Sequence, residues 1–483
     1  RGMTVNWFLL ITGKASGSGK KEQHRQRGQG VQDRAGMARR QRNLLLLIFD
    51  DLRGDFGMEG VPHEVMPHIR RLQRRGMTFS NAHTPCAICA PGRACLFTGL
   101  SPDTHGVTTL KHKLRGKLPD VLTWPQYLRH NGWRTMRSGK VYHKGVPDCL
   151  VALGDGDDDP HSWDWKRNPP GYELHSNGAY HNATPWETHR AGTGGAIAWL
   201  RAEKGDDKQH DHRVATDICE AIAGHDGSQP GFWAAGFIRP HVPLVAPKAY
   251  FEEVDELEIP LPGEPAAATA VPPQVRDQWC GHWDLPPHER REAIRAYLAC
   301  VRFADAQVGR ILDQLEASGL AEDTVVLLTA DHGFQLGEHG LWFKNFLYRE
   351  STHIPFILAD PALPESHGRS CPALVDQMDC FPTLLDLFDL EAPNQELPGR
   401  SLVPLLGDPH ADWRETVRSQ VDWNGIEGRS VRSQEFRYVE WKGVDREDSR
   451  ELYDLVKDPG ECINLLSGGR NHPEAARLSA LLS

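Results

Sequence analysis

Asn43-Leu-Leu-Leu-Leu-Ile-Phe-Asp-Asp51 is the stretch on which the architecture turns. Six apolar residues in a row, with no polar alternation, need cover on both faces, as a central strand of a parallel sheet does. Residues 324–329, Thr-Val-Val-Leu-Leu-Thr, and the apolar run 231–237 repeat the pattern. Between them lies residues 289–316, where Ile294, Leu298, Val301, Val308, Ile311, Leu312 and Leu315 share one face. Pro286-Pro287 precede this stretch and Gly319 follows it, so a long amphipathic helix is predicted. Strands alternating with such helices predict an α/β fold, a mostly parallel sheet sandwiched by helices. Beyond Pro398 the texture changes to short strand-like pieces at 436–441 and 451–455. The domain expectation is therefore a main domain over 43–397 and a smaller C-terminal α+β subdomain over 398–483. Residues 147–185, acidic and rich in Gly, Trp and Asn, read as loop. Within them Asp155-Gly-Asp-Asp-Asp159 lacks EF-hand spacing and reads as a solvated turn.

The 483 residues hold 55 Lys and Arg against 65 Asp and Glu, a net charge of −10. That charge is uneven. Residues 1–42 carry ten basic and two acidic residues, which leaves the body at −18. An acidic body argues against nucleic acid as a partner, and the Gly-, Gln- and Arg-rich segment 1–42 reads as a basic disordered extension or a misassigned start. Gly13-Lys-Ala-Ser-Gly-Ser-Gly-Lys20 fails the P-loop template, because Lys14 falls on its first glycine and Lys21 on its Ser/Thr. No apolar run approaches the ~20 residues of a membrane span. Ten cysteines without paired spacing exclude a disulfide scaffold and a paired zinc motif.

Ligands of open parallel sheets bind beyond the carboxyl ends of the strands. Asp50-Asp51 ends the first strand, and Asp331-His332-Gly333 follows the 324–329 strand. Hard donors converging there repel one another unless a cation sits between them, and carboxylates favour Ca²⁺ or Mg²⁺. The segment Cys89-Ala-Pro-Gly-Arg-Ala-Cys-Leu-Phe-Thr-Gly99 predicts a short helix with Pro91 in its first turn and Gly99 as its cap. Cys89 then occupies the positive end of the helix, with Arg93 one turn in, which suits a nucleophile acting on an oxyanion ester. The same surroundings predict a lowered thiol pKa for Cys89.

Cys89-Ala-Pro-Gly-Arg93 with Thr98-Gly99 resembles the type I sulfatase signature, Cys-x-Pro-Ser-Arg-x-x-x-x-Thr-Gly. Further segments resemble that family in order: Asp50-Asp51, Gly132 to Met136, Gly139-Lys140-Val-Tyr-His143, residues 236–243, Asp331-His332-Gly333 with Gly337-Glu-His-Gly340, and residues 451–460. Asp51-Leu-Arg53, Ser101-Pro-Asp-Thr104 and Arg239-Pro-His-Val-Pro243 are most similar to the iduronate-2-sulfatase-like branch.

The resemblance implies an alkaline-phosphatase-like fold and a sulfuric-ester hydrolase acting on a sulfated carbohydrate, such as a 2-O-sulfated uronate. It implies oxidation of Cys89 to formylglycine by a formylglycine-generating enzyme. Gly92 stands where the signature has Ser, while the Cys, Pro and Arg that conversion mainly needs are present. It further implies that Asp50, Asp51, Asp331 and His332, with the modified Cys89, hold Ca²⁺ or Mg²⁺. Arg93, Lys140 and Lys344 would bind the sulfate oxygens. His143 would be the base that reforms the aldehyde and releases sulfate from residue 89, and His241 the proton donor to the leaving oxygen near neutral pH. Family members are commonly periplasmic, lysosomal or extracellular, and this chain shows no clear signal peptide. A phosphonate monoester or phosphodiester hydrolase of the same fold is the competing reading, since those esters present similar oxyanions. A catalytically silent anion- or carbohydrate-binding homologue is the third, and its expected mark, a lost metal or nucleophile residue, is missing.

Overall fold

The computed structural model describes residues 42–56, 65–146, 156, 158–184, 195–263, 269–276, 285–443 and 447–482. The basic segment up to Gln41, its 13–20 motif, and residues 147–155 and 157 of the expected loop lie outside the described residues. Residues 42–483 form one compact unit.

Its frame is an eight-stranded sheet. The strands are β1 (Asn43–Asp50), β2 (Met77–Phe79), β3 (Arg134–Gly139), β4 (Trp165–Arg167), β5 (Gly231–Pro240), β6 (Thr324–Ala330), β7 (Phe356–Ala359) and β8 (Arg369–Cys371). They lie in the order β8-β2-β7-β6-β1-β5-β3-β4. β1 pairs in parallel with both β6 and β5, so the two strongest apolar runs flank it directly, while β7 alone runs antiparallel to its neighbours.

All eight residues of β1 are buried, as an unalternating apolar run requires. Leu45, Leu47 and Phe49 enter one core, packed with helix α2 (His210–Ala223) and helix α3 (Pro287–Ala317). Leu44, Leu46 and Ile48 enter the other, packed with helix α1 (Cys89–Thr98) and with Phe381 and Leu384. Each fully buried leucine contributes about 2 kcal/mol of transfer free energy, and the helices on both faces keep that area from water. The predicted helix is α3, and every one of its seven stripe residues is buried.

A second, antiparallel sheet follows: β9 (Val417–Trp423), β10 (Ile426–Arg432), β11 (Phe436–Gly443) and β12 (Ser449–Asp454), paired in that order.

Two sequence expectations fail. The 147–185 stretch is not all loop, since it contributes β4 to the main sheet and a strand over Gly178–Asn182. Asp158 and Asp159 are not a solvated turn. Asp158 is ion-paired with Arg137 and accepts from Trp163 Nε1 at 3.0 Å, and Asp159 is 2% exposed, pairing with Arg115 and accepting from Thr123 Oγ1 at 3.0 Å. A carboxylate run reads as solvated by default; here two arginines distant in sequence draw it inside.

Candidate active site

β1 and β6 end side by side, and their last residues carry the acids. Asp50 closes β1; Asp51 follows at φ 67°, a left-handed turn that Asp tolerates better than most residues. Tyr297 of α3 fixes that turn. Its hydroxyl donates to the Asp51 carbonyl at 2.7 Å and accepts from the Arg53 N–H at 3.1 Å. At the end of β6, the Asp331 carboxylate accepts from the N–H groups of Asp51 at 3.3 Å and His332 at 3.0 Å, which ties the two strand ends together. Gln377 caps the same turn by donating to the carbonyls of Ala330 and Asp331 at 2.8 and 3.0 Å.

Helix α1 delivers Cys89 to this point. It begins at Cys89 and ends on Gly99 at φ 68°, as the sequence predicts. The thiol lies 3.6 Å from Asp50 Oδ1 and 3.2 Å from His332 Nε2. A Cβ at Gly92 would stand 2.8 Å from the Asp331 carbonyl oxygen and 2.9 Å from that of Cys86. The departure from the signature thus lets the helix lie directly against the acidic turn, which a serine could join only by moving backbone.

One ligand atom each from Asp50, Cys89, Asp331 and His332 lies within 4.8 Å of all the others, and Asp50, Asp51 and His241 form an overlapping group. Across the two groups, three buried carboxylates and two imidazoles make a hard, oxygen-rich donor set that fits Ca²⁺ or Mg²⁺. Three cations face them. Lys140 is ion-paired with Asp50, Lys344 Nζ lies 2.8 Å from Asp51 Oδ1, and Arg93 Nε lies 2.9 Å from Asp331 Oδ2.

This packing sets the acidities. Burial pushes the Asp50 carboxyl up, but Lys140, with His241, Arg93 and Lys344, outweighs it and holds Asp50 well below the usual range. Asp51 ends at about 6, raised by burial against the pull of Lys344 and raised further by Asp50. Burial lowers His143 and His241 well below the usual imidazole range, Lys140 adding to the effect at His143 and Lys344 at His241.

Two role expectations, for Cys89 and His241, are corrected. The Cys89 thiol is pushed well above its ordinary value, not lowered, because burial and then Asp50 oppose a second negative charge more than the cations favour it. Arg93 is held against the acids, its Nη2 3.8 Å from Asp50 Oδ2. Besides Asp331 it donates to the Val141 carbonyl at 2.8 Å and to the Lys140 carbonyl, so it also fixes the backbone that carries Lys140. His241 is not a ready acid. Its Nδ1 is 2.6 Å from the Val242 carbonyl and so carries the ring proton, leaving Nε2 bare, 3.8 Å from Asp51 Oδ2.

The sequence reading missed the residues that hold these groups in place. Tyr297 and Gln377 are two. Asp211 is a third, accepting from the N–H groups of Ile238 and Arg239 at 2.9 Å each and so fixing the loop that carries His241. Each sits in a helix or turn far away in sequence, where no local pattern marks it.

The sulfatase family profile matches residues 42–390, and that of the N-sulphoglucosamine sulphohydrolase C-terminal region matches residues 337–482. Over 463 residues the chain is 29% identical to a sulfatase of Formosa agariphila, covering 91% of this chain and 86% of that one. It is 29% identical over 508 residues to the iduronate 2-sulfatase of Homo sapiens, covering 88% and 90%. The phosphonate monoester hydrolase of Agrobacterium radiobacter shares the fold at a TM-score of 0.71 and 22% identity, covering 90% and 93%. A protein solved with its substrate D-glucosamine-2-N,6-O-disulfate shares it at 0.70 and 21%, covering 92% and 97%. The chain belongs to the sulfatase family.

Proposed function

We propose that this sulfatase-family chain removes O-sulfate from a sulfated carbohydrate, with a 2-O-sulfated uronate as the leading candidate, after conversion of Cys89 to formylglycine. The observation that carries the reading is the shared space of Cys89, Asp50, Asp331 and His332, with Lys140 drawn onto Asp50 and Lys344 onto the adjoining Asp51. The 29% identity to iduronate 2-sulfatase supports the uronate.

Asp50, Asp51, Asp331 and His332 would hold the divalent cation, which when bound polarises an ester oxygen beside the hydrated aldehyde of residue 89. Lys140 and Lys344 are ion-paired with Asp50 and Asp51. Beside a substrate they share their charge with the sulfate oxygens, where negative charge develops. Arg93 keeps Asp331 and the 140–141 backbone in register and adds its charge to that of the lysines beside Asp50. His143 is neutral, and among the described residues its Nδ1 has no hydrogen-bond partner, so the ring is ready to accept a proton. His241 must first gain a proton at Nε2 to serve the leaving oxygen, and an anionic ester beside it favours that gain.

The test is the mass of the tryptic peptide containing Cys89, from protein made together with a formylglycine-generating enzyme, followed by turnover of matched aryl sulfate and aryl phosphodiester substrates. An aldehyde at residue 89 with faster sulfate cleavage is expected. An intact thiol with no sulfate turnover would overturn the reading, and faster phosphodiester cleavage would replace it with the competing hydrolase.

A further inference from the structure

The antiparallel C-terminal sheet meets the main body at a polar cleft of about 240 Å³, lined by Asn81, His83, Arg349, His353, Arg432 and Gln434 among others. Arg432 ends β10, and Gln434 follows it in the turn to β11. Asn81, His83, Arg349 and His353 belong to the body, where His83 and His353 meet in an antiparallel bridge. None of these six belongs to the cluster around Cys89.

Asn81 orders the interior. Its Oδ1 accepts from Arg432 Nη2 at 3.1 Å and lies 2.9 Å from His83 Nε2, while its Nδ2 donates to Gln434 Oε1 at 3.0 Å. Arg432 can only donate, so the atom opposite it is the amide oxygen, and His83 must present Nε2–H to that oxygen. His83 is 1% exposed. Burial, and then the nearby Arg432, His353, Arg437 and Arg349, keep its ring well below the usual range and therefore neutral. Nδ1 is then a bare acceptor. Among the described residues neither His83 Nδ1 nor Arg432 Nε has a hydrogen-bond partner.

The charge balance points the same way. Among the described residues no carboxylate lines the cleft, and Asp55 acts on its walls at Arg349 and His353. Arg437, behind it, is paired with Glu461 at 2.5 Å, whereas Arg432 has no ion-pair partner among the described residues. Burial and Arg437 draw the Arg432 guanidinium down to about 9, as expected of a cation whose charge is not compensated. The interior thus offers guanidinium donors and neutral imidazole acceptors, of which His83 Nδ1 is the buried and unpartnered one.

We infer that this cleft binds inorganic phosphate in its monohydrogen form. The phosphate oxygens would accept from Arg432 and Arg349, and the P–OH would donate to His83 Nδ1. Sulfate has the same shape and charge but no proton at neutral pH, so it would leave Nδ1 unsatisfied. Because the walls come from both the body and the C-terminal sheet, occupancy would fasten one to the other and raise the melting temperature.

The test is titration of the full chain with phosphate and with sulfate, by calorimetry and thermal melting, in a Lys140→Ala background that weakens anion binding near Cys89. Phosphate is expected to bind and stabilise, about tenfold more tightly than sulfate, the discrimination one hydrogen bond to a buried acceptor supplies. Arg432→Gln should abolish that binding. Gln434→Glu, at the exposed rim, should weaken it by about tenfold through like-charge repulsion and decides the matter if Arg432→Gln does not fold. Phosphate affinity unchanged by the substitutions, or sulfate binding as tightly as phosphate, would overturn the assignment.

Discussion

Two regions of this molecule bury charge, and they do it in opposite ways. Beneath the C-terminal sheet, Glu451 is 1% exposed and accepts from Trp441 Nε1 at 2.6 Å, from Tyr348 Oη at 3.0 Å and from Tyr453. Its neighbour Arg437 pairs with Glu461 and donates to Thr352 Oγ1 at 3.3 Å. Neutral hydroxyl and indole donors there satisfy one acid, and no like charge crowds it closely. At the ends of β1 and β6 the arrangement is reversed. Asp50 shares one group of donor atoms with Asp331 and another with Asp51, and lysines and an arginine balance the repulsion. Buried charge that serves stability is saturated by its own surroundings. The acids at the strand ends instead depend on charged neighbours, an arrangement of the kind that perturbed groups at functional sites take.

Substitutions in the two regions should therefore separate activity from stability. The largest effect is expected at Cys89. Cys89→Ala should lower aryl sulfate turnover by ~10³-fold or more while the melting temperature stays near that of the parent, because a small buried thiol gives way to a methyl group. Stripping divalent metal, verified by elemental analysis, should cost about 10²-fold or more in turnover and also lower the melting temperature, since repulsion among the three carboxylates is then relieved only by the cations of the protein. Both losses should reverse on adding Ca²⁺ or Mg²⁺. A stripped protein that melts at the same temperature would break the contrast drawn above.

Glu451→Gln should behave oppositely. Chemical denaturation should show a loss of about 2–3 kcal/mol, because an amide replaces one acceptor by a donor facing donors, and kcat per folded molecule should be unchanged. The smallest effect concerns Asp379, which lies with Asp376 against Arg414. Burial and Asp376 raise Asp379 from an ordinary 3.8 to about 7. A carboxyl raised on folding contributes stability that is fully present below pH 3.8 and is lost as pH rises through about 7. The melting temperature of Asp379→Asn minus that of the parent should therefore climb across that window. A flat difference would mean that Arg414 neutralises the pair completely.

How much of this was legible in the sequence depends on how local the signal is. Periodicity, a short-range property, exposed β1, β5, β6 and α3, and Pro91 with Gly99 marked both ends of α1. It did not expose β4, a three-residue strand that exists only because the edge of β3 offers it hydrogen bonds. The acids, lysines and histidines of the site were identifiable by residue type and order, but their working states were not. Neither the weakened acidity of the Cys89 thiol nor the anchoring of Arg93 on Asp331 follows from helix position. Both follow from what the fold stacks around them, Asp50 at 3.6 Å from one and Asp331 at 2.9 Å from the other.

The sequence by itself determined the covered parallel strands, the acids at their ends, the capped helix beginning at Cys89 and the family signature. Each is written in consecutive residues, and backbone sterics with apolar burial leave one reading. Only the tertiary structure decided which carboxylates share a space, which cations answer them, that Tyr297 and Asp211 hold the loops, and that Arg432 and His83 face one cleft. Those outcomes depend on distances between residues tens to hundreds apart in the chain, and electrostatic and hydrogen-bond energies are functions of distance and burial, not of order along the chain.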